Sequence, residues 1–204
     1  MRPEEIEALS FEIIDKEAGE HGFEKRQWNI IRRMIHTSAD FDYLQTVRIH
    51  DKAIEAGIEA ITRGKNIITD TKMARDGISK NKILAFKAEV KCLIDNEEVK
   101  RLALNSENTR AKLAVDQALD LMQGGIYVIG NAPTALLRLM ELVREGKAKP
   151  GLIIGLPVGF VNAAESKQAL TEMDYPFITN VGRRGGSNVA ASVVNALAIL
   201  AGSK

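Results

Sequence analysis

The 204-residue chain has one cysteine, Cys92, and three histidines, His21, His36 and His50. One thiol cannot close an intramolecular disulfide, and by itself it cannot build a thiolate metal site. The histidines lie far apart and form neither an HxxxH nor an HxH spacing, so no protein-held metal is expected. Neither sign of charge is in excess. The 28 Lys and Arg against 27 Asp and Glu leave a net charge of +1, unlike the basic balance of a general nucleic-acid binder. No apolar run approaches the roughly 18 residues that span a bilayer, and the charged start MRPEEIEALSFEI lacks a signal-peptide pattern. The phosphate loop G-x-x-x-x-G-K-[ST], the dinucleotide fingerprint G-x-G-x-x-G and the nucleophile elbow G-x-S-x-G are missing too. The expectation is a soluble cytoplasmic protein with no membrane or nucleic-acid partner.

What is present is 45% hydrophobic and 27% charged, a composition and length suited to one sizeable core. No low-complexity segment or Pro/Gly/Ser linker divides the chain, so residues 1–204 read as one domain. The N-terminal part reads as helical. Ile6, Leu9, Ile13 and Ile14 recur at helical spacing between Glu4 and Ala18, and a second helix runs from Glu24 to His36. Val47–Ile49 reads as a short strand, followed by a helix carrying Ile54, Ile58 and Ile61. From Asn66 the pattern changes to short apolar runs alternating with helices. The runs are Ile67–Thr69, Val90–Ile94, Ile126–Ile129, Leu152–Ile154 and Phe177–Thr179, with one long helix expected over Thr109–Met122. This alternation predicts an α/β fold of three layers, a mostly parallel sheet flanked by helices, with a helical N-terminal segment. In such sheets ligands bind beyond the C-terminal strand ends. That edge would carry Asp70-Thr71, Asn131–Pro133, Pro157–Gly159 and Gly182–Ser187.

Two stretches stand out chemically. NVGRRGGSN, opening the last helix, reads either as a tight turn with a cap or as an anion seat of backbone N–H groups and two arginines. A nucleotide-binding enzyme would use such a seat, although the phosphate-loop spacing is absent. The other stretch is IIRRMIHTSAD. On a helix, Trp28, Ile30, Ile31, Met34 and Ile35 fall on one face, and Asn29, Arg32, Arg33 and His36 on the other. His36 sits in the last turn, where the helix dipole favours the imidazolium, and an imidazolium suits a general acid. Helical geometry also admits a basic helix end that serves only its own dipole. His21 reads as an exposed turn residue, His50 as a neighbour of a helix start, and Cys92 as a core residue.

The segments LSFEIID, IIRRMIHTSADFDY, IITDTKMARDGI, NTRAKLAVD, YVIGNAPTAL, GLPVGFVNAAESK and NVGRRGGSNVAASVVNAL together resemble the precorrin-8X methylmutase family of cobalamin biosynthesis. The resemblance runs in order from Ile6 to Leu197. It implies an isomerase that moves a methyl group from C-11 to C-12 of a corrin precursor, with no redox cofactor or methyl donor. Cobalt, where present, would belong to the substrate. The family's catalytic histidine ends an R-x-x-H pattern, which falls on His36, and its substrate contacts fall on Ser10, Arg33 and Arg110. The resemblance further implies a homodimer with its sites near the subunit interface and a tetrapyrrole (corrinoid) substrate and product. A corrinoid carrier using the same pocket without chemistry is the alternative.

Overall fold

A computed structural model describes residues 2–203. The chain opens with α1 (Pro3–Ala18), α2 (Lys25–Ser38) and α3 (Tyr43–Thr46), then β1 (Val47–Ile49), α4 (Ala53–Thr62) and β2 (Ile67–Thr69). The short helices α5 (Lys72–Gly77) and α6 (Lys80–Leu84) precede β3 (Val90–Cys92), and α7 (Glu97–Leu104) and α8 (Arg110–Gln117) lead to β4 (Ile126–Ile129). The remainder alternates: α9 (Pro133–Arg144), β5 (Leu152–Gly155), α10 (Ala163–Thr171), β6 (Phe177–Asn180) and α11 (Ser187–Gly202).

The strands form one sheet in the order β1-β6-β5-β4-β2-β3. All neighbours are parallel except β1, which runs antiparallel to β6. The four central strands β2, β4, β5 and β6 are buried throughout. Their unbroken apolar character follows from that, because a parallel sheet is covered on both faces. One face carries a core of α2, α4 and α11 residues, including Ile30, Ile31, Met34, Ile61 and Leu197. The other carries Val115, Leu136, Leu139, Met140 and Leu170 from α8, α9 and α10. The three-layer α/β architecture expected from the alternation is the one found.

Several details differ. The segment between β2 and β3 folds into α5 and α6, and α7 follows β3, three short helices that the apolar spacing does not mark. The helix expected to reach Met122 stops at Gln117 and continues as turns. Cys92 is half-buried on the edge strand β3 rather than in the core. His21 is also half-buried, its ring 4.1 Å from that of Trp28. His50 accepts the Lys52 N–H one residue before α4 begins, as its position suggested.

Candidate active site

α2 has two unlike faces, as its spacing required. Ile30, Ile31, Met34 and Ile35 are buried against the core. The basic face is not left to solvent, because α1 lies across it. Arg32 donates to Asp15 Oδ2 at 2.8 Å, and the Trp28 indole N–H donates to Asp15 Oδ1 at 2.9 Å. Arg33 donates to Glu7 Oε1 at 3.1 Å. The Phe11 ring fills the space among them, with the Arg32 and Arg33 guanidinium carbons 4.4 and 5.1 Å from its centre and the His36 ring 5.2 Å away. Cations over an aromatic face are held by the ring quadrupole as well as by their carboxylates. Nothing local in the sequence announces these pairs, since the partners lie 17 and 26 residues apart.

His36 itself is exposed. It opens into a concavity of about 340 Å³ lined by Ser10, Ile13, Ile14, Glu17, Ile35, Ala39 and Phe41. The Ser10 hydroxyl donates to Ile6 O at 2.8 Å, which leaves its oxygen free to accept a further bond. Beyond His36 the chain turns sharply at Ala39, which has a left-handed φ of 52° and donates its N–H to Ile35 O. A non-glycine residue in that region costs on the order of 1 kcal/mol. The turn is held from outside by Arg184, which pairs with Asp40 at 2.9 Å and with Asp42. Nearby Tyr43 is buried, which pushes its hydroxyl pKa up to about 12.

The candidate residues therefore separate into groups. Ser10 and His36 share one cavity. Arg33 is one turn before His36 on α2 and reaches towards α1, where it lines an adjoining cleft with Phe11, Asn29 and Leu200. Arg110 stands apart, at the start of α8 in the opposite helical layer. There it lies 3.5 Å from Asp95, which also pairs with Lys72, and it lines another open concavity with Lys100, Leu104 and Asn108. Within one chain Arg110 does not reach the His36 cavity.

The C-terminal strand ends gather on one edge, as expected, and the seat where the strand order reverses is filled from within. The strand order reverses between β2 and β4, the position where open α/β sheets commonly bind ligands. Here the buried Asp70 occupies it, accepting N–H bonds from Gly130, Asn131 and Ala132 at 2.8–2.9 Å. Burial pushes this carboxyl above its ordinary pKa range, and the three donors oppose the shift. The start of α11 packs closely against the loop after β4. A Cβ on Gly130 would lie 2.5 Å from Ser187 Cα and 2.8 Å from Ser187 N, and the Ser187 hydroxyl shares a 2.7 Å hydrogen bond with Thr71. This close packing agrees with the tight-turn reading of NVGRRGGSN.

Sequence reasoning did not single out Lys167 of α10, which is fully buried. Its ammonium donates to Asn180 Oδ1 at 3.1 Å and to the Arg184 carbonyl, so it pins the loop after β6 from beneath. Burial lowers its pKa to about 8. Among the described residues no helix is long and apolar enough to cross a membrane.

A family model described as precorrin-8X methylmutase matches residues 5–200. The chain is 47% identical over 203 residues to the cobalt-precorrin-8 methylmutase of Priestia megaterium, covering 100% of this chain and 90% of that one. It is 38% identical over 191 residues to the precorrin-8X methylmutase of Pseudomonas aeruginosa, covering 93% and 91%. The crystal structure of a Thermus thermophilus precorrin-8X methylmutase superposes with a TM-score of 0.92 at 43% identity, covering 97% of this chain and 96% of the other.

Proposed function

The chain belongs to the precorrin-8X methylmutase family and is an isomerase, and from that premise we propose which residues carry its chemistry. The substrate is precorrin-8X or its cobalt-bearing counterpart, and a methyl group moves from C-11 to C-12 to give hydrogenobyrinate or cobyrinate. His36 acts as general acid, protonating the conjugated macrocycle. The bond from C-11 to the methyl carbon then breaks as the bond to C-12 forms on the same face, and the proton returns as conjugation is restored. Because the migrating group is already in the substrate, positioning and one proton are the protein's main contributions. No cofactor enters; cobalt, where present, arrives within the substrate.

The observation that carries this reading is the cavity shared by Ser10 and His36, flanked by the Arg33 guanidinium. A corrin is a broad apolar ring with carboxylates on its rim. Arginine forks bind such carboxylates through paired, charge-assisted bonds, so Arg33 would exchange Glu7 for a substrate carboxylate. The cavity is open and small for a corrin. Beside it, Ile6, Leu9 and Ile13 of α1 are exposed, an apolar stripe suited to a second copy of the chain. In the homodimer we propose, that copy covers the site, and Arg110, remote from His36 within one chain, serves the site across the interface. The cytoplasm is the compartment we assign.

The test is turnover of metal-free and cobalt-bearing precorrin-8 side by side, followed by the change in visible absorbance. We expect His36→Ala to abolish conversion while still binding corrin tightly. Near-wild-type turnover by His36→Ala would remove the acid from His36. A wild-type spectrum that never changes with either substrate would return the reading to a corrinoid carrier.

A further inference from the structure

Phe160 and Val161 are 84% and 77% exposed, and Val158 beside them is 44% exposed. All three stand on the loop after β5. Clustered apolar side chains in water mark contact surfaces more often than isolated ones do. Their backbone is firmly held. Gly159 donates its N–H to Arg183 O at 3.1 Å, and Gly186 donates to Leu156 O at 2.9 Å, lacing this loop to the one after β6. The two backbones touch so closely that a Cβ on Gly185 would lie 2.3 Å from Leu156 O. Lys167 anchors the second loop from within the core.

The charges on this platform are as specific as its apolar groups. The Arg183 guanidinium lies 5.4 Å from the centre of the Phe160 ring. It has no carboxylate partner among the described residues, whereas its neighbour Arg184 is tied to Asp40 and Asp42. Asp40 follows Ala39, which lines the His36 cavity. The platform thus begins one ion pair from the catalytic cavity.

We propose that the laced loops Leu156–Val161 and Gly182–Gly186 form a second wall of the corrinoid site. The Phe160 ring and Val161 take the apolar face of the macrocycle, and Arg183 takes a rim carboxylate. The proposal rests on the methylmutase reading, and it adds binding residues to that site. A planar polycarboxylate complements both halves of the platform, stacking on the ring and pairing with the open cation. The patch differs from the apolar stripe of α1 in carrying a cation without a carboxylate partner among the described residues, which favours a carboxylate-bearing small molecule over a second copy.

The experiment compares wild type with Phe160→Ala and Arg183→Ala, both exposed positions. Hydrogenobyrinate is the probe, with its Kd read from visible absorbance. Each substitution should raise Kd and KM about tenfold, leave kcat within about twofold, and leave the melting temperature and sedimentation unchanged. Kd and KM within about twofold of wild type in both variants would overturn the proposal. So would a change of oligomeric state in Phe160→Ala, which would assign the patch to contact between copies. If the wild type converts neither precursor, the methylmutase reading fails, and the titration still decides the platform.

Discussion

α1 and α11 are both 16-residue helices, yet eleven residues of α11 are buried and only Ile14 of α1 is. α11 is apolar nearly all round and sits inside the core, as such helices do. α1 is fastened across the basic face of α2 by Phe11, Asp15 and Glu7. Packing free energy scales with buried apolar area, so α11 holds the fold together. α1 contributes little to that and instead supplies Ser10 and one wall of the His36 cavity. Stability and the wall of the candidate site therefore reside in separate helices, and α2 joins them with one face turned to each.

The contrast can be broken at either end. His36→Ala has the largest expected effect, a loss of turnover of at least about 100-fold, with the melting temperature unchanged because the side chain is exposed. Leu197→Ala in α11 should do the reverse. Leu197 is fully buried, and its methyls press on α4 so closely that a Cβ at Gly57 would lie 2.8 Å away. Its truncation should cost about 3 kcal/mol in urea unfolding, with KM unchanged in the folded fraction.

Lys167 sharpens the comparison from the core side. Its folded-state pKa of about 8 lies below its ordinary value of 10.5. Between those pH values the unfolded chain binds more protons than the folded one, so this group's contribution to stability rises with pH. Wild type should therefore gain ~2 kcal/mol on Lys167→Met between pH 8 and 10. Parallel stability curves across that range would show that Lys167 does not titrate there. On the α1 side, Asp15→Ala removes the acceptor of two hydrogen bonds at a half-exposed position. Its expected cost is ~1 kcal/mol, seen as faster amide exchange and proteolysis within α1 while the core stays protected. Glu7→Gln should change least, leaving stability within about 0.5 kcal/mol. By freeing Arg33 it should tighten hydrogenobyrinate binding about threefold; weaker binding would make Glu7 a support for Arg33 rather than a competitor.

The core of this fold is plain in the sequence because buried parallel strands and α11 read as unbroken apolar runs. Local spacing alone separates the two faces of α2. The short helices α5, α6 and α7 escaped because five to eight residues give too little periodicity to distinguish helix from connection. Long-range geometry escaped for a different reason. The pairing of Arg33 with Glu7, the pinning of Arg184 by Lys167 and the distance of Arg110 from His36 all depend on how helices pack, which no local pattern encodes. Asp70 shows this most clearly, since its place after a strand marked it as an edge residue but could not show that it fills the seat itself.

The filling of the seat at Gly130–Ala132 has a consequence for small anions. An empty helix start at the turn of an α/β sheet attracts phosphate and phosphorylated small molecules. This chain closes that position with its own carboxylate, Asp70. Asp70 thereby withholds the three N–H donors of that turn from small anions and leaves anion recognition to side chains elsewhere on the surface.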